Sequence, residues 1–303
     1  MLLLAFRRRV LALLGAVVVL GVAAGCGGSS SSGSGSDAAT VAAAPPGGQV
    51  ANGPVQTKGD DLGTSTPEMA NRHPTHAIVP VLMYHVIAPA PAGAKYAGLW
   101  VAPDALQEQV AALGTAGYTG VTLDQVLDAW AGHGTLPEHP VVLSFDDGYL
   151  SQGVAAGDIL RRAGWPGVLN LAWHNLGTPG GLTAGRVKTM IGDRWEIDAH
   201  SLTHPDLTTL DAASLKREVA GSRAKIRDTF GVAADAFCYP AGKYDPAVEA
   251  AVRAAGYRAA TTEVPGAARP GGDHYALPRI RVDAGVSAAS VLSSVRAAVG
   301  SGA

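Results

Sequence analysis

Two adjacent carboxylates, Asp146 and Asp147, end the apolar run Pro140-Val-Val-Leu-Ser-Phe and are followed by Gly148. Neighbouring residues at a strand end point in different directions, so one acid can ligate a metal while the other accepts a proton. A histidine pair follows downstream, in His200-Ser-Leu-Thr-His204-Pro. Two imidazoles and one carboxylate form the three-ligand nitrogen and oxygen set of catalytic zinc sites, which keep a fourth position for water. His85 ends another apolar run, and Pro240-Ala241-Gly242 ends a fourth. Plainer readings exist for each feature: Asp147 and Gly148 as a helix cap and bend, His85 as a structural histidine, the His200 and His204 pair as chance spacing.

The elements that must position these residues read as alternating strands and helices. Ile78 to Tyr84, Pro140 to Phe145, Val168 to Trp173, Trp195 to Ala199, Ala236 to Tyr239, Tyr257 to Thr261 and Tyr275 to Val282 are strand candidates. Continuous apolar runs of this kind suit a parallel sheet covered on both faces. Helices are expected from Pro103, over Leu123 to Trp130, Leu150 to Ala163, Ala184 to Ile191, within Leu210 to Phe230, over Asp245 to Ala255, and from Ser287. Leu106, Val110 and Leu113 mark the inner face of the first, and Leu215, Val219 and Ile226 that of the fifth, which Gly231 closes. Such alternation predicts an α/β fold with a parallel sheet or barrel, and in a barrel the C-terminal strand tips converge on one face. Four polar tips would therefore meet around one pocket.

The 303 residues are 47% hydrophobic, ample for a buried core, and the formal charge of -2 excludes the basic face that a nucleic-acid partner requires. Residues 1–26 carry Arg7-Arg8-Arg9, an apolar run from Val10 to Leu20, and Ala23-Ala24-Gly25-Cys26. This is the pattern of an export signal, with a cysteine placed as in a bacterial lipobox, although Ala23 departs from the usual leucine or valine. A membrane attachment through lipid on Cys26 and an extracytoplasmic location are expected, against a plain secretory signal or an uncleaved anchor. Residues 27–76 are rich in Ser, Gly, Ala and Pro and read as a flexible tether, leaving 77–303 for one catalytic domain, expected to be a monomer. Cys238 sits in an apolar run and reads as a buried free thiol.

The order Ser144-Phe-Asp-Asp-Gly148, His200-Ser-x-x-His204 and Tyr239-Pro-x-Gly242 resembles the polysaccharide deacetylases of carbohydrate esterase family 4. The resemblance covers about Ile78 to Val282. It implies a distorted (β/α) barrel, a divalent metal (zinc, with cobalt as an option), and hydrolysis of N-acetyl groups on an N-acetylglucosamine polysaccharide. It further implies Asp146 as the catalytic base, Asp147, His200 and His204 as metal ligands, and the Ala241 backbone N–H as oxyanion donor. The chain departs from the family at Cys238, where an arginine is usual, and lacks the aromatic Asp-x-x-Asp-Trp and late Leu-x-His motifs. Val81-Leu-Met-Tyr-His85 and Pro278-Arg279-Ile280 are instead similar to the poly-N-acetylglucosamine deacetylase subgroup. That similarity implies His85 as the acid and Arg279 as the residue that orients Asp146, where a surface or ion-pair role is the alternative. An O-acetyl esterase and a catalytically inactive, tethered glycan-binding protein are the competing functions.

Overall fold

A computed structural model describes residues 76–300, all within the unit Pro67–Ala303. The expected signal, lipobox cysteine and tether lie outside the described residues. In chain order the elements are β1 (Val81–Tyr84), β2 (Val86–Ile87), β3 (Trp100–Val101), α1 (Pro103–Thr115), β4 (Thr119–Gly120), α2 (Leu123–Trp130) and β5 (Pro140–Asp147). There follow α3 (Gly157–Ala163), β6 (Val168–Leu171), α4 (Ala184–Gly192), β7 (Glu196–Ala199), α5 (Ala212–Phe230), β8 (Ala236–Cys238), α6 (Pro246–Ala254), β9 (Ala259–Pro265), β10 (Leu277–Arg281) and α7 (Ala288–Gly300).

Seven parallel strands close on themselves in the order β1, β5, β6, β7, β8, β9, β10, with β10 pairing back to β1. This is the (β/α) barrel the alternation predicts. β4 pairs only with β5, outside the ring, and β2 with β3 forms a separate parallel pair. Side chains alternate across each barrel strand. In β5, Val141, Leu143 and Phe145 join the layer beneath the helices with Leu82, Leu169, Ile197 and Phe237. Val142 joins Val81, Val168, Ala236, Ala259 and Leu277 on the other face, where Leu123, Val126 and Leu127 of α2 pack against them and plug the N-terminal end. The next inward residues are Ser144, Asn170, Cys238, Thr261 and Arg279, all buried, so the barrel turns polar towards its C-terminal mouth.

Local chemistry fixes the helix ends. Thr122 and Gln125 form a reciprocal capping box on α2. Asp211 caps α5 and Gly231 closes it in the left-handed region at φ 72°. The expected helix over Leu150 to Ala163 departs from the sequence reading at its start, where Gln152–Ala156 is a π-helix. The strand expected through Trp173 stops at Leu171, and Trp173–Asn175 turns as a 3-10 helix. β9 runs to Pro265, beyond the expected end at Thr261, because its last residues cross the rim with Val264 exposed.

Candidate metal centre and active-site cleft

The barrel mouth opens into a cleft of about 590 Å³ lined by His85, Asp146, Asp147, His200, His204 and Ala241 together with His174, Tyr149, Glu263 and Arg281. Six of the seven residues singled out from sequence therefore meet there. The seventh, Arg279, lies directly beneath, 1% exposed, against Asp146.

Asp147 Oδ1 lies 3.6 Å from His200 Nε2 and 3.6 Å from His204 Nε2, and the two imidazole nitrogens are 3.1 Å apart. Bonds of about 2.0–2.1 Å to a tetrahedral zinc place ligand atoms roughly 3.3 Å apart, so these three donors fit a divalent cation. His200 Nδ1 donates to the carbonyl of Cys238 at 2.7 Å, which turns Nε2 towards the site. Burial opposes charge on His200, yet its contact with Cys238 and the Asp146 and Asp147 carboxylates lift its pKa to about 10. Burial and the His200 charge push His204 down. A cation bound through Nε2 would displace the proton that His200 otherwise holds there.

The loop that carries the pair is built by its own residues. Ser201 Oγ accepts from the His204 N–H at 2.9 Å. Glu218 of α5 accepts from the N–H groups of Leu202 and Thr203 at 2.9 and 2.8 Å and from the Thr203 hydroxyl at 2.9 Å. Asp147, Ser201, His204 and Ala241 all have positive φ, at 83°, 64°, 56° and 52°. Such backbone is costly for residues with a Cβ and gathers at functional sites. Only Arg194 shares it elsewhere among the described non-glycine residues.

Asp146 is held on three sides. Arg279 makes a bidentate pair with it, Nη1 to Oδ1 and Nη2 to Oδ2, both at 2.8 Å. Asn170 Nδ2 donates to Oδ1 at 2.7 Å, and His85 Nε2 stands 3.9 Å from Oδ2. Burial pushes the carboxyl up, but the Arg279 guanidinium outweighs it and holds Asp146 well below the usual carboxylate range. Asp146 is therefore a fixed anion. Asp147 contacts the Tyr149 phenol, whose pKa is pushed up to about 12 by burial and by that carboxylate. The two neighbouring acids thus have different surroundings, as adjacent strand-tip residues can.

Sequence reasoning missed Asn170, Tyr149, Glu218 and Gln152. Asn170 carries a readable signal, an amide inside the apolar run Val168-Leu-Asn-Leu. The other three lie on helical or turn positions with no mark in the sequence. Of the two other histidines near later strands, His174 and His274, His174 lines the cleft. His274 does not: it packs 5.4 Å from the Trp130 ring and contacts the Pro270 carbonyl.

Residues 133–260 match the polysaccharide deacetylase family. Over that stretch the chain is similar to polysaccharide deacetylases. Bacillus subtilis YxkH, whose name places it among such deacetylases, is 27% identical over 211 residues, 70% of this chain and 74% of that protein. The poly-β-1,6-N-acetyl-D-glucosamine N-deacetylase of Escherichia coli K12 is 44% identical over 68 residues, which span 22% of this chain but only 10% of that enzyme. The solved structure of Streptococcus pyogenes deacetylase PplD, in complex with acetate, shares the fold with a TM-score of 0.69 at 23% identity, over 73% of this chain and 99% of that one.

Beside the mouth, a furrow of about 600 Å³ shares Tyr149 and Asn175 with the cleft and continues past Trp100, Leu150 and Val154. No charged residue lines it.

Proposed function

We propose that this domain is a polysaccharide deacetylase that removes N-acetyl groups from an N-acetylglucosamine polymer outside the cytoplasm, with zinc as its metal. The observation that carries this reading is the single cleft in which an arginine-clamped carboxylate adjoins a two-histidine, one-carboxylate ligand set. The 68-residue similarity to an N-deacetylase of poly-β-1,6-N-acetyl-D-glucosamine supports the amide over the ester substrate. The neutral furrow beside the cleft suits the uncharged sugars on either side of the acetylated unit.

An amide resists hydrolysis because its carbonyl is a weak electrophile and its nitrogen a poor leaving group. A metal held by Asp147, His200 and His204 supplies polarisation of the acetyl carbonyl and acidity to water. Asp146 takes the proton of the attacking water. Its guanidinium clamp keeps the carboxylate unprotonated and aimed at the cleft rather than making it a strong base. The Ala241 N–H donates to the developing oxyanion. His85, at the opposite side of Asp146 from Asn170, delivers a proton to the departing glucosamine nitrogen.

Acetate release from poly-N-acetylglucosamine, chitin oligomers, peptidoglycan and acetylxylan, with and without added zinc, tests the reading. Zinc-dependent release from an N-acetylglucosamine polymer is expected. Release from acetylxylan alone establishes the ester reading instead, and no release from any of the four rejects catalysis. The location is read from Arg7-Arg8-Arg9, the apolar run and Cys26. Cys26→Ser is expected to free the protein from the membrane fraction, and unchanged fractionation rejects the lipid anchor.

A further inference from the structure

The parallel ladder between β1 and β5 pairs Val81 with Val142, Leu82 with Leu143, Met83 with Ser144 and Tyr84 with Phe145, and there it stops. The next residues on the two strands are His85 and Asp146. On its other side Asp146 stays in register with Asn170 of β6, but towards β1 the ladder gives it nothing. At this gap lies the side chain of Gln152, fully buried. Its Nε2 donates one proton to the His85 carbonyl at 2.8 Å and the other to the Asp146 carbonyl. Ser151, one residue earlier, accepts from the Ile87 N–H at 3.0 Å. Consecutive residues of one turn thus hold the backbone that follows the His85 side chain.

We infer that Gln152 is a positioning residue, whose amide sets the distance between the tip that carries His85 and the tip that carries Asp146. The inference rests on the acid and base roles proposed above. Three observations support it. The amide can take only one orientation, because reversed it would set Oε1 against two carbonyl oxygens. In this orientation Oε1 is buried without a hydrogen-bond partner, so the residue retains a polar group at a cost that a leucine would avoid. Gln152 also opens the π-helix, whose widened turn is uncommon and recurs at functional sites. The result is a separation of 3.9 Å between His85 Nε2 and Asp146 Oδ2, with a contact made by neither side chain's own strand pairing.

The test uses Gln152→Met, which keeps the length and removes both donors, and Gln152→Glu, which puts an acceptor where both donors were. Each is made in the full chain, alone and with His85→Ala, with zinc present. A crystal structure of either variant is expected to show the His85 tip displaced from Asp146 by about 1 Å or more; an unchanged separation overturns the inference. On an N-acetyl substrate kcat is expected to fall about 10- to 100-fold, the usual effect of a small misplacement, with KM and bound zinc unchanged. In the His85→Ala background the same substitution should lower kcat by less than about threefold, because the group it positions is gone. An equal fall in both backgrounds marks a merely structural residue and overturns the positioning role. A wild-type protein that releases no acetate refutes the deacetylase reading, and the crystallographic arm then decides the positioning role by itself.

Discussion

Arg279 commits all five of its N–H donors. Nε donates to the Thr262 carbonyl, Nη1 to Ser144 Oγ and Asp146 Oδ1, and Nη2 to Asp146 Oδ2 and the Cys238 sulfur. The thiol at position 238 is therefore part of the support around Asp146, in the place where an arginine was expected from family resemblance. A buried pair of this kind is strongly destabilising to break from one side, because the remaining charge is stranded. Arg279→Gln is expected to lower stability by about 3–5 kcal/mol and to abolish measurable acetate release. Adding Asp146→Asn to it should restore most of the stability and none of the activity, since no buried charge remains but the proposed base is lost too. Denaturant unfolding of the single and double variants checks this. A double variant no more stable than Arg279→Gln alone would show that the loss came from packing and not from the stranded carboxylate. The guanidinium was expected only through the resemblance of Pro278-Arg279-Ile280 to the poly-N-acetylglucosamine deacetylase subgroup, with an ion-pair or surface role as the alternative, whereas the Asn170 contact required knowing the register that sets Asp146 opposite it.

The elements contribute unequally to the site. Strands deliver Asp146, Asp147 and Arg279 directly, and the positions of the two acids were legible because long apolar runs ending in acids or histidines have few alternative folds. The loop of His200 and His204 is different, since its shape comes from α5 through Glu218, a residue that a helical pattern assigns only to a face. Glu218 accepts from two loop N–H groups and one hydroxyl, and it is buried. Glu218→Ala leaves those donors without partners at a cost of about 1–3 kcal/mol each. Zinc affinity is expected to drop at least about tenfold, because His204 loses a fixed backbone, while Glu218→Gln, which keeps one acceptor oxygen, should fall between the two. Competition with a chromophoric chelator measures this, and an affinity equal to the wild type for Glu218→Ala would show that the loop holds itself through Ser201. What the sequence could not show at this scale were the ends of elements. The π-helix at Gln152–Ala156 and the 3-10 turn at Trp173–Asn175 depend on contacts with other strands, which no local pattern records.

Across the molecule the barrel separates a polar mouth from a floor built for packing, the division expected when catalytic residues occupy the C-terminal strand ends. The floor has a feature of its own. Glu196 of β7 accepts from the Asp124 N–H of α2 at 2.8 Å, and its other oxygen, like Asp198 Oδ2, is buried without a hydrogen-bond partner. Burial first, and then the charges of Asp198 and Asp124, push the Glu196 pKa well above its ordinary value. Burial, with Asp198 and Asp235 adding to it, likewise raises Asp124 to about 7. An acid whose folded pKa is raised binds its proton more tightly in the native state, so stability is greatest below the unfolded value and is lost as pH rises towards the folded one. Glutamine at 196 keeps the acceptor for Asp124 but has no proton to lose. Glu196→Gln should therefore match the wild type near pH 4, where the glutamate is protonated in both states, and gain on it steadily up to pH 8. Each kcal/mol of that gain raises the unfolding midpoint by about 2–4 °C for a domain of this size. Melting curves from pH 4 to 8 decide the matter: an offset that stays constant with pH would mean that the side chain acts through packing, and a wild type that gains stability towards pH 8 relative to the variant would mean that Glu196 is ionised and paired in the native floor.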